Sequence, residues 1–181
     1  RGRAVMTRYL VTVDAGTGSC RAVLFDEWSQ QRGVQQREWT HREPAGTPGG
    51  QDFAVAENWR LICECIRELL ASSGVAAPDV AAVSMTSMRE GIVLFDEKGV
   101  ELWACPNVDS RAGLEAEDLV RSGKAEEIHR IAGDWVSITT PARLLWLERH
   151  QPEILMRATA VGLLSDWIGY RLTGVHVTEP S

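Results

Sequence analysis

The chain has 181 residues, 44% hydrophobic and 24% charged, with a formal net charge of -6 and four cysteines. These values are ordinary for a soluble globular protein and allow one good-sized domain with a single core. The acidic balance argues against nucleic-acid binding through a broad basic face, and no apolar run reaches the roughly 18 residues of a membrane span.

The opening Arg1-Gly2-Arg3-Ala4-Val5 is basic but lacks the hydrophobic core of a signal peptide, and Met6 is a candidate start. Residues 1–8 therefore read as a tag or disordered arm before a domain covering residues 9–181. Two strands follow, Tyr9 to Val13 and Cys20 to Asp26, both apolar or β-branched. Val34 to His41 alternates but is polar on both faces, which suits an edge strand. Arg42 to Gln51 holds two prolines and three glycines and reads as a loop. Ala56 to Ser72 reads as a helix with Trp59, Ile62, Ile66, Leu69 and Leu70 on one stripe, closed by Gly74. Val80 to Met85 is a short apolar strand. Gly91 to Asp96 and Val100 to Ala104 form a hairpin across Asp96-Glu97-Lys98-Gly99, with glycine at the left-handed position. Helices are expected at Asp109 to Arg121, Ala125 to Ile131 and Pro141 to His150, the last capped by Thr140. A strand near Thr159 to Gly162 and a helix from Leu163 to Leu172 complete the pattern.

Cys20, Cys63, Cys65 and Cys105 make no Cys-x-x-Cys pair. Buried free thiols in a reducing cytoplasm fit them better than a zinc site. His41, His129, His150 and His176 show no ligand or triad spacing and read as structural. Of the seven tryptophans, Trp103 is the one expected nearest a ligand, since it precedes a polar cluster.

The most informative stretch is Asp14-Ala15-Gly16-Thr17-Gly18-Ser19, which joins the first two strands. Two glycines let the backbone approach a bulky anion, and loop N–H groups with the Thr17 and Ser19 hydroxyls suit phosphate oxygens. Asp14 would repel phosphate, so magnesium or a metal-bound water is its expected partner. A Walker loop is excluded because no Gly-Lys-Ser/Thr run follows. The dinucleotide fingerprint is disfavoured because Arg21 replaces its third glycine and a strand follows in place of a helix. A plain turn is the blander alternative, but it has no need of Asp, Thr, Ser and Arg together. Three antiparallel strands leading through a helix to a parallel strand is the ribonuclease-H-like, or actin-like ATPase, layout. It is an α/β fold with a mixed sheet flanked by helices, and it places a phosphate loop on the first hairpin.

A second constellation, Ser84 to Gly91, follows an apolar strand. Arg89 and Glu90 offer adjacent guanidinium donors and carboxylate acceptors, a match for the neighbouring hydroxyls of a polyol. Asn107-Val108-Asp109-Ser110-Arg111 follows the next strand pair as a further polar cluster. Asn107 or Asp109 also suits the role of helix cap.

These segments, with Arg143-Leu144-Leu145-Trp146-Leu147, Ser165-Asp166-Trp167 and Leu172-Thr173-Gly174, resemble the FGGY carbohydrate kinases in the family's order, from about Tyr9 to Ser181. Within the family, Ser87 to Leu94, Trp103-Ala104-Cys105 and Asn107-Val108-Asp109 are most similar to members that phosphorylate the open-chain form of a five-carbon quorum-sensing signal. The resemblance implies ATP and Mg2+, a two-domain clamshell, a small-carbohydrate partner and phosphoryl transfer to a primary hydroxyl. It sets Asp14, Gly16, Thr17, Gly18, Ser19 and Arg21 at the ATP phosphates, with Asp14 toward the metal. It sets Arg89 and Glu90 on substrate hydroxyls, beside Asn107 and Asp109. Asn107 falls where several members carry tryptophan, so the sugar wall differs here. The family's general-base aspartate and most of its adenine pocket come from beyond Ser181, which implies that this polypeptide alone is inactive. A homodimer is left open. The competing reading is a non-enzymatic actin-like or chaperone-like ATPase module, which would have no use for the Arg89 and Asn107 clusters.

Overall fold

A computed structural model describes residues 8–178. The expected arm at residues 1–8 lies outside them apart from Arg8. In chain order the elements are β1 (Tyr9–Ala15), β2 (Ser19–Asp26), β3 (Gln31–Glu38), α1 (Val55–Ser73), β4 (Val80–Ser87), β5 (Ile92–Phe95), β6 (Glu101–Cys105), α2 (Gly113–Arg121), α3 (Lys124–Ala132), α4 (Thr140–His150), α5 (Pro152–Arg157), β7 (Ala160–Leu163) and α6 (Leu164–Thr173). No helix among the described residues is long and apolar enough to cross a membrane. Where the length suggested one core, the chain divides into two compact units. Within the described residues, the first comprises residues 8–40, Val55–Met88 and residues 164–178, and the second His41–Ala54 and Arg89–Leu163.

The first unit is built on a sheet in the order β3-β2-β1-β4. Its first three strands are antiparallel, and β4 runs parallel to β1, as the sequence predicts. Strand periodicity sends Val11, Val13 and Ala15 of β1 and Cys20, Ala22 and Leu24 of β2 to one buried face. On α1 the fully buried line is Asn58, Ile62, Cys65 and Leu69. Trp59, Ile66 and Leu70 of the expected stripe are half-buried beside it. Trp59 meets Trp167 of α6 edge-on at 5.9 Å, and the Arg171 guanidinium sits 5.7 Å from the Trp59 ring. Gly33 packs close under α1: a Cβ there would lie 2.6 Å from Ser73 Oγ and 3.0 Å from Leu69 Cδ1, so those side-chain ends would have to shift. The edge strand β3 starts and ends three residues earlier than the expected Val34 to His41, and just past its end the Trp39 indole turns to the β1–β2 loop. The thiols of Cys20 and Cys65 lie 3.6 Å apart in the core, and burial pushes Cys20 up to about 12.

At the far end of β2, Asp26 is 1% exposed and accepts from the N–H groups of Trp28 (3.0 Å) and Gln30 (2.9 Å) and from Arg32 Nε (2.7 Å). Burial pushes its carboxyl up, but the Gln30 N–H, the Arg32 guanidinium and the Trp28 N–H outweigh that and hold it below the ordinary carboxylate range. Its folded value thus lies under the unfolded one of about 3.9, so its stabilisation is complete above that pH and fades as pH falls through the folded value. An Asp26→Asn variant should therefore show a shallower loss of stability in acid, below about pH 4, than the parent. Urea melts across that range check this, and identical slopes would refute it.

The second unit holds a three-stranded antiparallel sheet in the order β6-β5-β7. The β5–β6 turn carries Gly99 at φ 75, as the sequence predicts. Its core is Ile92, Leu94, Trp103, Cys105, Leu119, Val136, Trp146 and Leu147, with smaller residues between. The loop from Arg42 to Gln51 closes on itself, since Arg42 and Asp52 pair as an antiparallel bridge. Helix α2 begins four residues later than expected because residues before Gly113 have other commitments: Ser110 N bonds Gly49 O at 2.8 Å and Asp109 Oδ1 accepts from Gln51 N at 2.8 Å. Neither Asn107 nor Asp109 caps it; its N-cap position is Ala112, with no side-chain cap. Thr140 likewise lies inside α4, whose N-cap is Thr139, again with no side-chain cap bond. Helix α5 was not expected. It starts at Pro152, where the fixed φ and missing N–H cost a first turn nothing.

Candidate functional site

In the first unit the loop is held from behind by one residue. Trp39 Nε1 donates to the carbonyls of Gly16 (3.1 Å) and Thr17 (3.2 Å), and Trp39 N donates to Gly18 O (3.1 Å). Each peptide is planar and trans, so a carbonyl turned toward Trp39 turns the next N–H away from it. By that geometry the N–H groups of Thr17, Gly18 and Ser19 point away from Trp39. A Cβ on Gly18 would meet nothing within 4 Å. Neither Gly16 nor Gly18 has a positive φ; their value here is lack of bulk.

Strand register adds a polar row to the same end of the sheet. Asp14 stands opposite Arg21 on β2 and Thr86 on β4, and Arg21 stands opposite Gln36 on β3. Residues in register share a face, so Thr86, Asp14, Arg21 and Gln36 line up across four strands on the exposed side of the sheet. Gln36 Oε1 accepts from Arg21 Nε (3.2 Å) and Nη2 (3.0 Å), while Gln36 Nε2 donates to Ser19 Oγ (3.3 Å). A neutral amide thus orients the guanidinium without cancelling its charge. Asp14 is an exposed carboxylate at the start of this loop. Among the described residues no group of three or more His, Cys, Asp or Glu side chains could hold a metal ion. A protein-only metal cage is thus not offered; magnesium is commonly held by one or two carboxylates with waters and phosphate oxygens, and Asp14 supplies one carboxylate of that kind.

In the second unit the polar clusters are organised by two buried arginines. Arg143 is fully buried. Its Nη1 donates to Glu90 O, and its Nη2 lies 3.2 Å from Pro106 O, 3.3 Å from Asn107 O and 3.2 Å from Asp109 O. Arg111 sits between two indoles, 5.1 Å from each of the Trp103 and Trp146 rings. Its Nε bonds Asp109 Oδ1 at 2.6 Å, and its Nη2 bonds Asp52 Oδ1 at 2.6 Å and Gln51 O at 3.0 Å. Burial opposes the charge on Arg111, but the two carboxylates outweigh it and raise its pKa.

This arrangement keeps Arg89 and Asn107 exposed and Glu90 half-exposed, and Glu90 adopts a left-handed backbone at φ 64. Asp109 differs from its expected role. It is 1% exposed and engaged by Gln51 N and Arg111, so its carboxylate braces the cluster from inside and does not present itself to a ligand. Trp103 likewise is 9% exposed and packs beneath Arg111, where the sequence suggested a ligand-facing indole. Trp39, Gln36, Thr86 and the structural work of Arg143 were not singled out from sequence. Period-2 alternation could have paired Gln36 with Arg21, but Trp39 acts from outside the ladder and carries no such signal.

A sheet ordered β3-β2-β1-β4, its first three strands antiparallel and β4 parallel to β1, defines a protein of the ribonuclease-H-like, actin-like ATPase fold. The chain belongs to the FGGY family of carbohydrate kinases: residues 9–181 match that family's N-terminal domain. It is 44% identical over 176 residues to the autoinducer-2 kinase of Salmonella paratyphi A, covering 96% of this chain and 33% of that protein. An autoinducer-2 kinase of Escherichia coli is 43% identical over the same length. The chain thus spans about a third of the length of the curated relatives it matches. Among solved structures, xylulose kinase from Rhodospirillum rubrum superposes with a TM-score of 0.83 at 27% identity, over 94% of this chain and 35% of that one. Gluconate kinase from Lactobacillus acidophilus shares the fold at a TM-score of 0.85 and 22% identity, over 95% and 34% respectively.

Proposed function

We propose that this chain is the N-terminal part of an ATP-dependent carbohydrate kinase that transfers the γ-phosphate to a primary hydroxyl, with the open-chain five-carbon signal of the autoinducer-2 kinases as its acceptor. The observation that carries the acceptor class is the 44% identity across 96% of the chain. In this reading the N–H groups of Thr17, Gly18 and Ser19 receive phosphate oxygens, and Arg21, held by Gln36, adds positive charge. Asp14 would hold Mg2+ directly or through water; when bound, the ion neutralises charge on the phosphates. Arg89 donates to substrate hydroxyls and Glu90 accepts from them, while Asn107 forms a polar wall. Asp109 serves by bracing. The general base and most of the adenine pocket are assigned to further chain, so residues 1–181 alone turn over no substrate, and the enzyme works in the cytoplasm.

Arg89→Ala in the complete kinase is expected to raise the acceptor KM by roughly ten- to a hundredfold while leaving the ATP KM within about twofold. Steady-state kinetics with the five-carbon signal, D-xylulose and glycerol measure this. An unchanged acceptor KM would remove Arg89 from the sugar site.

A further inference from the structure

We infer that Arg143 is a positioning residue that determines acceptor specificity, a role that rests on the sugar-site reading above. It lies on α4, away in sequence from the Glu90 and Asn107 segments, yet one guanidinium reaches the carbonyls of both. Three of its acceptors, on Pro106, Asn107 and Asp109, belong to the turn after β6, and the fourth is Glu90 before β5. Its Nε adds charge attraction to Asp109 Oδ2 at 3.6 Å.

Two facts separate this from ordinary core packing. First, the bonded atoms are backbone carbonyls of the very segments that carry the acceptor-facing side chains, so Arg143 fixes how far Glu90 stands from Asn107. Second, Glu90 has φ 64, a left-handed conformation that a non-glycine residue holds only when its surroundings impose it. The bond from Arg143 to Glu90 O is a direct restraint on that conformation, and hence on where the Glu90 carboxylate stands. A planar guanidinium can serve acceptors on two loops at once from a fixed fork. A lysine ammonium has three donors on a flexible stem and cannot hold the same spread. The spacing of two loops sets which length of polyol has both of its ends satisfied, and groups left unpaired by a wrong acceptor are what make such a site selective.

The test is Arg143→Lys, with Arg143→Met beside it, in the complete kinase. D-xylulose, D-gluconate, glycerol and the open-chain five-carbon signal serve as acceptors. Arg143→Lys should raise KM for the preferred acceptor by roughly ten- to a hundredfold and flatten the kcat/KM ratios among the four, with the ATP KM within about twofold of the parent. Amide exchange in residues 89–91 and 107–110 should quicken, with the rest of the second unit unchanged. If Arg143→Met fails to fold, the lysine variant carries both readouts alone. A lowered Tm with unchanged acceptor KM, unchanged ratios and unchanged loop exchange would reduce Arg143 to a folding residue and overturn the inference. Should Arg89→Ala also leave acceptor KM unchanged, the sugar-site reading fails, which is a separate result from a normal Arg89→Ala effect with a silent Arg143→Lys.

Discussion

Arg111→Met is expected to destabilise the second unit by about 3–5 kcal/mol, the largest effect of any single change considered for this chain. The side chains of Arg111 and Asp109 are 2% and 0% exposed, so their ion pair is deeply buried. Removing the guanidinium leaves the Asp109 carboxylate with Gln51 N and with an Arg143 Nε 3.6 Å away, and strips Gln51 O of its Arg111 bond. Breaking one partner of a buried pair is costly because the other charge stays desolvated. Methionine keeps most of the volume between Trp103 and Trp146 but none of the attraction to their faces. The Asp52 contact counts for less, since that side chain is 45% exposed and water can replace the arginine there. Urea unfolding followed by tryptophan emission measures the change, and amide exchange assigns it to the second unit. Adding Asp109→Asn should recover part of the loss, because the charge that lacks a partner is then gone. A loss below about 1 kcal/mol for Arg111→Met would show that the cluster is not a stabilising core element.

Trp39→Phe should act on the other unit and on nucleotide binding. Phenylalanine keeps an aromatic ring but has no N–H, so Gly16 O and Thr17 O lose their indole donor. Gly16 is half-buried and Thr17 exposed, so each lost bond is worth about 0.5–1.5 kcal/mol, and the loop is then free to turn its peptides over toward water. Turning them rotates the N–H groups of Thr17 and Gly18 out of the phosphate-facing direction proposed for them. ATP affinity in the complete kinase is therefore expected to fall by roughly ten- to a hundredfold, with the acceptor KM near the parent value. Titration with a fluorescent ATP analogue reads the affinity. Parent-like ATP binding in a folded Trp39→Phe enzyme would mean that the loop's shape is set elsewhere.

What sequence made legible follows from the range of the forces involved. The β1–β2 hairpin, the Gly99 turn, and helices α1, α3, α4 and α6 rest on local periodicity and glycine signals, and all appear within a few residues of their expected places. The loop and the Arg89-Glu90 pair stood out because their residue types are unusual for a turn and a strand end. Contacts between distant segments were not legible. Nothing near Asp109 announces Gln51 as its partner, 58 residues away, so the carboxylate read as ligand-facing and the helix was started four residues early. The single expected core became two for the same reason, since the split depends on which strands pair.

The bond from residue 39 back to residue 16 has an implication for anyone hoping to move this loop into another scaffold. Copying positions 14 to 21 would carry over the glycines, hydroxyls and charges but leave behind the indole that aims them. The portable unit is three strands and the residue that follows them; a motif scan reports only its visible tip.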